Sequence, residues 1–276
     1  MARIVVLTHA TDDFDRRASL MRRIATTWRA EGHDVVVAAG TRGVPSADVA
    51  ILHIDLSVIP QDYLDVASRF PRVLNGRVTD IRKRSFSRHL VQRDDSWAGP
   101  VIVKTDLNFG GLPEVYAVQK AQQTGATADP TLLRITATNA PYPLFASVAA
   151  VPASVWDNPG LVVERFLPER DAHGFVTRAW VFLGDKERCT RYVSTQPIVK
   201  SSGIIARSAA EVPEALRIER ARLGFDYGKF DFALHDGQPI LFDVNRTPAA
   251  PPAALSAEYA ESDRRLARGL EAWLHP

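Results

Sequence analysis

Oxygen-bearing side chains that suit a hard cation stand close together near the C-terminus, at Asp231, Asp243 and Asn245. They belong to two runs that alternate apolar and polar residues, and Asp236-Gly237 lies between the runs. This pattern predicts a β-hairpin. Because side-chain direction alternates strictly, Asp231 shares a face with Asp243 only if the turn holds an odd number of residues. We therefore expect a three-residue turn, with the three side chains roughly 5–8 Å apart.

The opposite face of the hairpin is expected to enter the core. Its predicted members are Phe230, Phe232 and Leu234 on the first strand and Ile240, Phe242 and Val244 on the second. The polar face then fits Mg²⁺ shared with phosphates. The alternative is a surface hairpin whose polar face is simply solvated.

A second group of residues is typical of phosphate binding. The predicted strand Val101–Lys104 ends in an ammonium group, and Gly110-Gly111 follows shortly after it. Glycines let backbone N–H groups approach a phosphate, and a helix beginning near Pro113 would direct its N-terminus to the same place. Gly-Gly before a helix is common by itself, so this interpretation depends on the order of strand, lysine, Gly-Gly and helix start.

Further polar residues follow an apolar strand at 161–163. The segment Glu164-Arg165-Phe166-Leu167-Pro168 cannot continue as a central strand past its proline, so its backbone is free to meet a purine edge. Glu169 and Asp171, just beyond, are placed to accept hydrogen bonds from a ribose. Later predicted strands at 178–183, 189–193 and 196–200 carry Arg178, Arg191 and Lys200 as candidate inward cations, or as ordinary decoration of an exposed edge.

These residues require a mixed α/β (α+β) scaffold. Strands at 3–8, 34–38, 49–54 and 72–74 alternate with helices at 12–30 and 60–70, which predicts a small α/β layer. It lacks GxGxxG, so we exclude a dinucleotide site there. A basic helix at 80–91, a strand at 132–138, a Pro-containing loop at 139–143, a proline-rich segment at 247–252, and helices at 210–223 and 255–274 complete the expectation.

Composition narrows the class of protein. The 276 residues hold 34 Lys plus Arg and 32 Asp plus Glu, a net charge of +2 that gives no reason to expect nucleic-acid binding. No apolar run approaches the roughly 18 residues of a membrane span, and the N-terminus lacks a signal-peptide core, so we expect a soluble cytoplasmic protein. The single Cys189 is expected to pack in the core.

Taken in order, IVK104, the Gly110-Gly111 loop, VVERFLP and GKFDF…LFDVNRTP resemble the ATP-grasp superfamily, in the group of D-alanine:D-alanine ligase, glutathione synthetase and ribosomal-protein glutamate ligases. The resemblance covers most of the chain. It implies an N-terminal α/β pre-domain (residues 1–75) and two α+β subdomains (76–160 and 161–276) enclosing ATP. The chain departs from the family at Asp243, where the family usually has Glu, at Lys229, where the ligases more often have Arg, and at the Gly110-Gly111 loop, which is short and followed at once by a helix.

The resemblance also implies roles for individual residues. Lys83 and Lys104 would contact phosphates beside Gly110 and Gly111. Glu164, Arg165, Phe166 and Leu167 would form the adenine hinge, with Glu169 or Asp171 at the ribose. Arg178 and Lys200 are added as nucleotide-binding cations. Asp231, Asp243 and Asn245 would hold Mg²⁺, in two ions, while Lys229 and Arg246 would act at the transferred phosphoryl or acyl phosphate. A surface salt bridge is the alternative for Arg246.

The implied activity is ATP- and Mg²⁺-dependent ligation of a small-molecule or peptide carboxylate to an amine, through an acyl phosphate. No Ser/His/Asp or Cys/His nucleophile pattern competes with it. A kinase with the same ATP site, a non-catalytic ATP-binding protein and a plain α/β interaction module are the alternatives. Neither the substrates nor the oligomeric state follow from the sequence.

Overall fold

The computed structural model describes residues 1–125, 127–138, 142–250 and 256–274. The predicted loop at 139–143 and the proline-rich segment at 247–252 therefore lie partly outside the described residues, as does Leu255 of the predicted last helix.

The N-terminal part is the predicted α/β layer. Its elements are β1 (Arg3–Thr8), α1 (Leu20–Ala30), β2 (Asp34–Ala39), β3 (Val49–Leu52), α2 (Gln61–Ala67) and β4 (Val73–Leu74). The strands form a parallel sheet in the order β2-β1-β3-β4. Helix α1 begins later than predicted, because Ser19 is its N-cap and accepts a hydrogen bond from the Arg22 N–H at 3.1 Å.

The middle part contains a small antiparallel sheet. Its elements are α3 (Lys83–Phe86), β5 (Val101–Thr105), α4 (Leu112–Thr124), β6 (Leu144–Phe145), α5 (Ala153–Trp156) and β7 (Leu161–Arg165), with 3₁₀ turns at Asn108–Gly111 and Val148–Ala150. The sheet order is β6-β5-β7. Strand β7 thus pairs with the middle sheet although it follows the predicted boundary at residue 160; the three-part division itself stays a prediction.

The C-terminal part carries the largest sheet. Its elements are β8 (Glu169–Arg170), β9 (Phe175–Leu183), β10 (Lys186–Ser194), β11 (Ile204–Ala209), α6 (Glu214–Leu223), β12 (Tyr227–His235), β13 (Gln238–Asn245), α7 (Ser256–Ala267) and α8 (Glu271–Leu274), with 3₁₀ turns at Ser201–Gly203 and Arg268–Leu270. The order is β11-β10-β9-β12-β13, and β8 pairs with β9. None of the described helices has the length and hydropathy that a membrane crossing needs.

Three predicted elements are wrong. The basic helix at 80–91 is a single turn, because tertiary ion pairs engage its arginines: Arg84 with Asp106 at 2.5 Å and Arg88 with Glu219 at 2.6 Å. The segment 132–138 forms turns and irregular chain, and 196–200 is likewise no strand. Both lack a neighbouring strand to pair with, and an alternating pattern alone does not supply one.

The largest sheet has two unlike faces. One face packs Trp180, Phe182, Phe230 and Phe232 against helix α6 in a single apolar cluster, which also contains the buried Cys189 as predicted. The residues that alternate with these point to the other side, toward the middle part and the N-terminal layer. The side chains that could do chemistry lie on this second face.

Candidate active site

The β12–β13 hairpin closes with a two-residue turn, so the predicted three-residue turn is wrong. His235 pairs with Gln238, and Asp236 and Gly237 both have positive φ, at 50° and 75°, as a type I′ turn requires. The register then shifts between Asp231 and Phe232, where a β-bulge absorbs one extra residue of β13. Asp231 consequently faces Asp243 directly. The bulge, and not the turn, therefore places Asp231 and Asp243 on the same face.

The bulge also changes which aromatic residue enters the core. Leu241, and not Phe242, pairs with Phe232 and joins the apolar cluster. Phe242 instead lines a cavity on the opposite face, with the Lys104 ammonium 5.4 Å from its ring centroid and 3.4 Å from its carbonyl oxygen. The predicted core positions of Phe242 and Ile240 are thus corrected, because both line the cavity.

The cavity lies between the middle sheet and the second face of the large sheet. Its volume is about 880 Å³, within the range of small-molecule sites. The predicted residues that line it are Lys83, Lys104, Glu164, Arg165, Phe166, Leu167, Lys200, Lys229, Asp231 and Asp243.

Lysines face the carboxylates inside this cavity. Lys229 Nζ lies 2.8 Å from Asp231 Oδ2, and Lys83 Nζ lies 3.4 Å from Asp243 Oδ1. Burial raises the pKa of Asp231, and the opposing Asp243 carboxylate adds to this rise while Lys229 works against it. Burial alone would lower the pKa of Lys83 and of Lys229, but the facing carboxylates outweigh it and both pKa values are raised. The lysines therefore stay charged.

The third lysine is paired more tightly. Lys104 Nζ lies 2.6 Å from Glu164 Oε2, with both side chains buried, while Glu164 Oε1 is buried without a hydrogen-bond partner among the described residues. Just beyond, Leu167 lies past the end of β7, and its N–H has no partner within the described part of the chain. With the apolar walls Ile102 and Ile240, this free N–H suits a flat heterocycle.

Two carboxylates that face each other across a strand pair fit a divalent cation, because the cation offsets their repulsion, which adds to the rise in the pKa of Asp231 that burial causes. The third predicted ligand is less available: Asn245 Oδ1 accepts hydrogen bonds from the Thr247 N–H at 2.7 Å and hydroxyl at 3.2 Å. Among the described residues there is no cluster of three or more His, Cys, Asp or Glu that could hold a metal ion. A cation here would complete its shell with oxygens from a bound ligand.

Glu169 and Asp171, predicted to contact the ribose, do not line the cavity, and neither do the candidate cations Arg178 and Arg191. Arg178 pairs bidentately with Glu169, whose carboxylate also accepts from the Leu234 N–H at 2.7 Å. Asp171 pairs with Arg191 and caps a turn. Strand parity explains this result: both arginines alternate with the cavity-facing positions of their strands, so they point to the other face. We do not retain Glu169, Asp171 and Arg178 as nucleotide contacts.

The glycine loop also serves packing and not the cavity. A Cβ on Gly110 would come within 2.2 Å of the Thr138 carbonyl oxygen, and Gly110 and Gly111 adopt φ of 67° and 78°. Gly110 accepts a hydrogen bond from the Thr138 N–H at 3.0 Å. Because neither glycine lines the cavity, their predicted phosphate contact is not carried forward.

Arg246 is fully buried between the hairpin and the N-terminal layer. Its guanidinium donates to the carbonyls of Ile54 at 3.0 Å, Val78 at 2.7 Å, Ser57 at 3.0 Å and also Leu56. Burial lowers its pKa to about 10, so it remains charged at neutral pH. It does not line the cavity. The predicted catalytic contact, and the alternative of a surface salt bridge, are both replaced by a structural role.

The sequence-based interpretation missed several cavity residues, among them His89, Arg188, Tyr192 and Tyr259. Arg188 and Tyr192 lie on β10 at positions that alternate with Cys189 and Arg191. Had the buried Cys189 been used to assign the core face, the same period-two rule would have placed them toward the cavity.

Several solved structures have a fold similar to that of this chain. The structure is similar to the ATP-grasp ligase PsnB complexed with a minimal precursor (TM-score 0.55, 13% identity, 98% of each chain covered). It is also similar to a RiPP-associated ATP-grasp ligase from Chryseobacterium gregarium in complex with ADP and a leader and core peptide (0.52, 9%, covering 99% of this chain and 97% of that one). A third match is D-alanine–D-alanine ligase from Bacillus anthracis complexed with ATP (0.50, 14%, 99% and 98%).

No protein-family model matches the sequence, and no curated protein matches it. The structural matches span nearly the whole chain, so the predicted ATP-grasp fold is confirmed. At these identities the likeness concerns the fold, and the activity has to be argued from the cavity.

Proposed function

We propose that this protein is an ATP- and Mg²⁺-dependent ligase that joins a small-molecule or peptide carboxylate to an amine through an acyl phosphate. The observation that carries the proposal is the convergence of Lys83, Lys104 and Lys229 with Asp231 and Asp243 in one cavity, beside the Leu167 N–H, which has no partner among the described residues. The three structural matches named above are all ligases, and two of them hold ATP or ADP, which supports the same reading.

In this proposal the nucleotide base lies along Arg165–Leu167, where the Leu167 N–H donates to a ring nitrogen. Lys83 and Lys104 reach the phosphates from the middle part of the chain, and Lys229 reaches them from the large sheet. Lysines bind phosphate as mobile point charges, so the 3.4 Å contact of Lys83 with Asp243 can be exchanged for a phosphate oxygen at little cost.

Asp231 and Asp243 would hold Mg²⁺, and Asn245 would join them if its amide turned away from Thr247. Bound there, Mg²⁺ would neutralise charge on the phosphates. The chain's own contribution is to orient the γ-phosphoryl group with Lys229 and Lys83 and to keep water away with the apolar cavity wall.

The reaction then proceeds in two balanced steps. A carboxylate oxygen attacks the γ-phosphorus, the bond to the bridging oxygen breaks, and ADP leaves. A neutral amine next attacks the acyl carbon, inorganic phosphate leaves, and the amine nitrogen loses one proton. The cationic lysines stabilise the charge that spreads over the transferred group in the first step.

Product analysis tests this proposal. Purified protein is incubated with ATP, Mg²⁺ and pooled amino acids, short peptides and small carboxylic acids, and ADP and inorganic phosphate are quantified separately. We expect equal amounts of both, dependent on a carboxylate and an amine together. ADP without free phosphate would indicate a kinase. ATP binding without turnover in any pool would indicate a non-catalytic ATP-binding protein, and no ATP-dependent stabilisation would leave only an interaction module.

A further inference from the structure

Arg188 faces the cavity at a distance from the proposed phosphate site. It lies in one cross-strand row with Lys229, because Lys229 pairs with Val181 on β9 and Val181 pairs with Arg188 on β10. Residues in such a row project from the same face, and two strand spacings separate the Cα atoms of Arg188 and Lys229 by about 10 Å. Arg188 therefore faces the same cavity as Lys229, two strands away from β12 and its Asp231.

The Arg188 guanidinium is held in place but only partly used. Its Nη1 donates to Asp263 and, at 3.3 Å, to Ser262 Oγ, while its central carbon lies 4.7 Å from the Tyr259 ring centroid. The Nε and Nη2 donors have no partner in the described residues. These two donors form the edge that binds a carboxylate bidentately. Only 12% of the side chain is exposed, so an anion there would meet a partly desolvated cation.

The Asp263 carboxylate is shared between Arg188 and a second arginine. Its second oxygen, Oδ2, lies 2.5 Å from Arg23 Nε of helix α1, so two guanidinium groups share one carboxylate. Glu258, on the same helix as Asp263, is paired with Arg207 at 2.5 Å. The open edge of Arg188 thus has positive charge and no protein anion opposite it in the described chain.

We propose that the carboxylate substrate carries a second anionic group, and that Arg188 binds this group while the first carboxylate reacts beside Lys229. This inference rests on the function proposed above and adds the substrate class, a dianion whose two carboxylates are a few bonds apart. A bidentate, charge-assisted contact of this kind contributes roughly tenfold to hundredfold in affinity.

The test is direct binding without turnover. Protein saturated with Mg²⁺ and the ATP analogue AMP-PNP is titrated calorimetrically with succinate, glutarate and adipate, and with the monoamide of each, which keeps the length and removes one charge. The variants are Arg188→Gln and Arg188→Lys. The matched control is Arg191→Gln, on the same strand but on the opposite face.

We expect at least one diacid to bind tenfold or more tightly than its monoamide. Arg188→Gln should abolish that preference and Arg188→Lys should reduce it, while AMP-PNP affinity stays within twofold and Arg191→Gln resembles the wild type. If no diacid is preferred although AMP-PNP binds, or if Arg188→Gln weakens AMP-PNP itself tenfold, the inference is overturned. Failure of the wild type to bind AMP-PNP would instead refute the proposed function.

Discussion

Asp243 and Arg246 are three residues apart at the end of one strand, yet their surroundings are opposite. Asp243 is partly exposed to a cavity, faces another carboxylate, and reaches its nearest cation, Lys83, at 3.4 Å. Arg246 is completely buried and directs its guanidinium to the backbone carbonyls of four residues. Beside it, Thr247 donates to Asp55 Oδ1 at 2.6 Å. We refer to Arg246, Thr247, Asp55 and their partners as the joint between the hairpin and the N-terminal layer.

The difference teaches which charges serve folding and which serve a ligand. In the joint every nitrogen of the Arg246 guanidinium has a carbonyl partner, so removing the guanidinium leaves buried acceptors unpaired. In the cavity two carboxylates face each other and Lys83 reaches Asp243 only at 3.4 Å, which costs stability unless a ligand adds the missing partners. Four predictions test this contrast.

The largest effect is expected from Arg246→Leu. Loss of the guanidinium leaves several buried carbonyls unpaired at about 1–3 kcal/mol each, so the unfolding free energy should fall by about 3–5 kcal/mol in urea denaturation. Arg217→Gln, which removes a partly exposed ion pair with Glu187, is the control and should cost less than about 1 kcal/mol. A stable Arg246→Leu protein without activity would reinstate the catalytic role.

Asp243→Asn should reduce activity and leave stability largely intact, the reverse of what we expect for Arg246→Leu. ADP formation should fall by about 10²–10³-fold, since a group that positions the transferred phosphoryl is lost. The unfolding free energy without nucleotide should change little, because relief of the repulsion between Asp243 and Asp231 offsets the loss of the Lys83 contact. Wild-type turnover by this variant would refute the metal assignment.

His53 precedes Ile54 and Asp55 of the joint in sequence; it is 2% exposed and has no partner for Nδ1 among the described residues. Burial lowers its pKa from 6.5 to about 4. Above pH 6.5 the group is neutral in both states and contributes nothing. As the pH falls the unfolded chain binds the proton first, so stability is lost between pH 6.5 and 4, by about 2 kcal/mol at pH 4.5.

His53→Gln should therefore lose about 2 kcal/mol less than the wild type between pH 7 and pH 4.5, measured as the change in unfolding free energy of each protein. Parallel profiles for the two proteins would mean that His53 is protonated in the folded state.

The smallest effect is expected at the bulge. Phe242→Leu keeps an apolar group but removes the ring near Lys104, a contact that contributes about 0.5–1 kcal/mol. The KM for ATP should rise about twofold to fivefold with little change in kcat. A hundredfold loss of kcat would show that the bulge positions the carboxylates through Phe242 itself.

Much of the fold and of the candidate site could be predicted from local sequence patterns. Period-two alternation predicted the hairpin and the paired Asp231 and Asp243, and the alternation of strands and helices predicted the N-terminal layer. Such signals need only a few neighbouring residues. The turn failed because Asp-Gly adopts the type I′ conformation regardless of what the opposite strand requires, and the bulge then restored the register.

The sequence by itself determined the inventory of the site: the lysines, the facing carboxylates and a hinge segment that leaves its strand before Pro168. Only the tertiary structure decided which of the candidate cations face the cavity. Arg178 and Arg191 pair with Glu169 and Asp171 on the other face of the sheet, and Arg246 pairs with backbone carbonyls, whereas Arg188 faces the cavity with two donors that have no partner in the described residues. The physical reason is that side-chain direction is local, but the partner that satisfies a charge comes from residues far away along the chain.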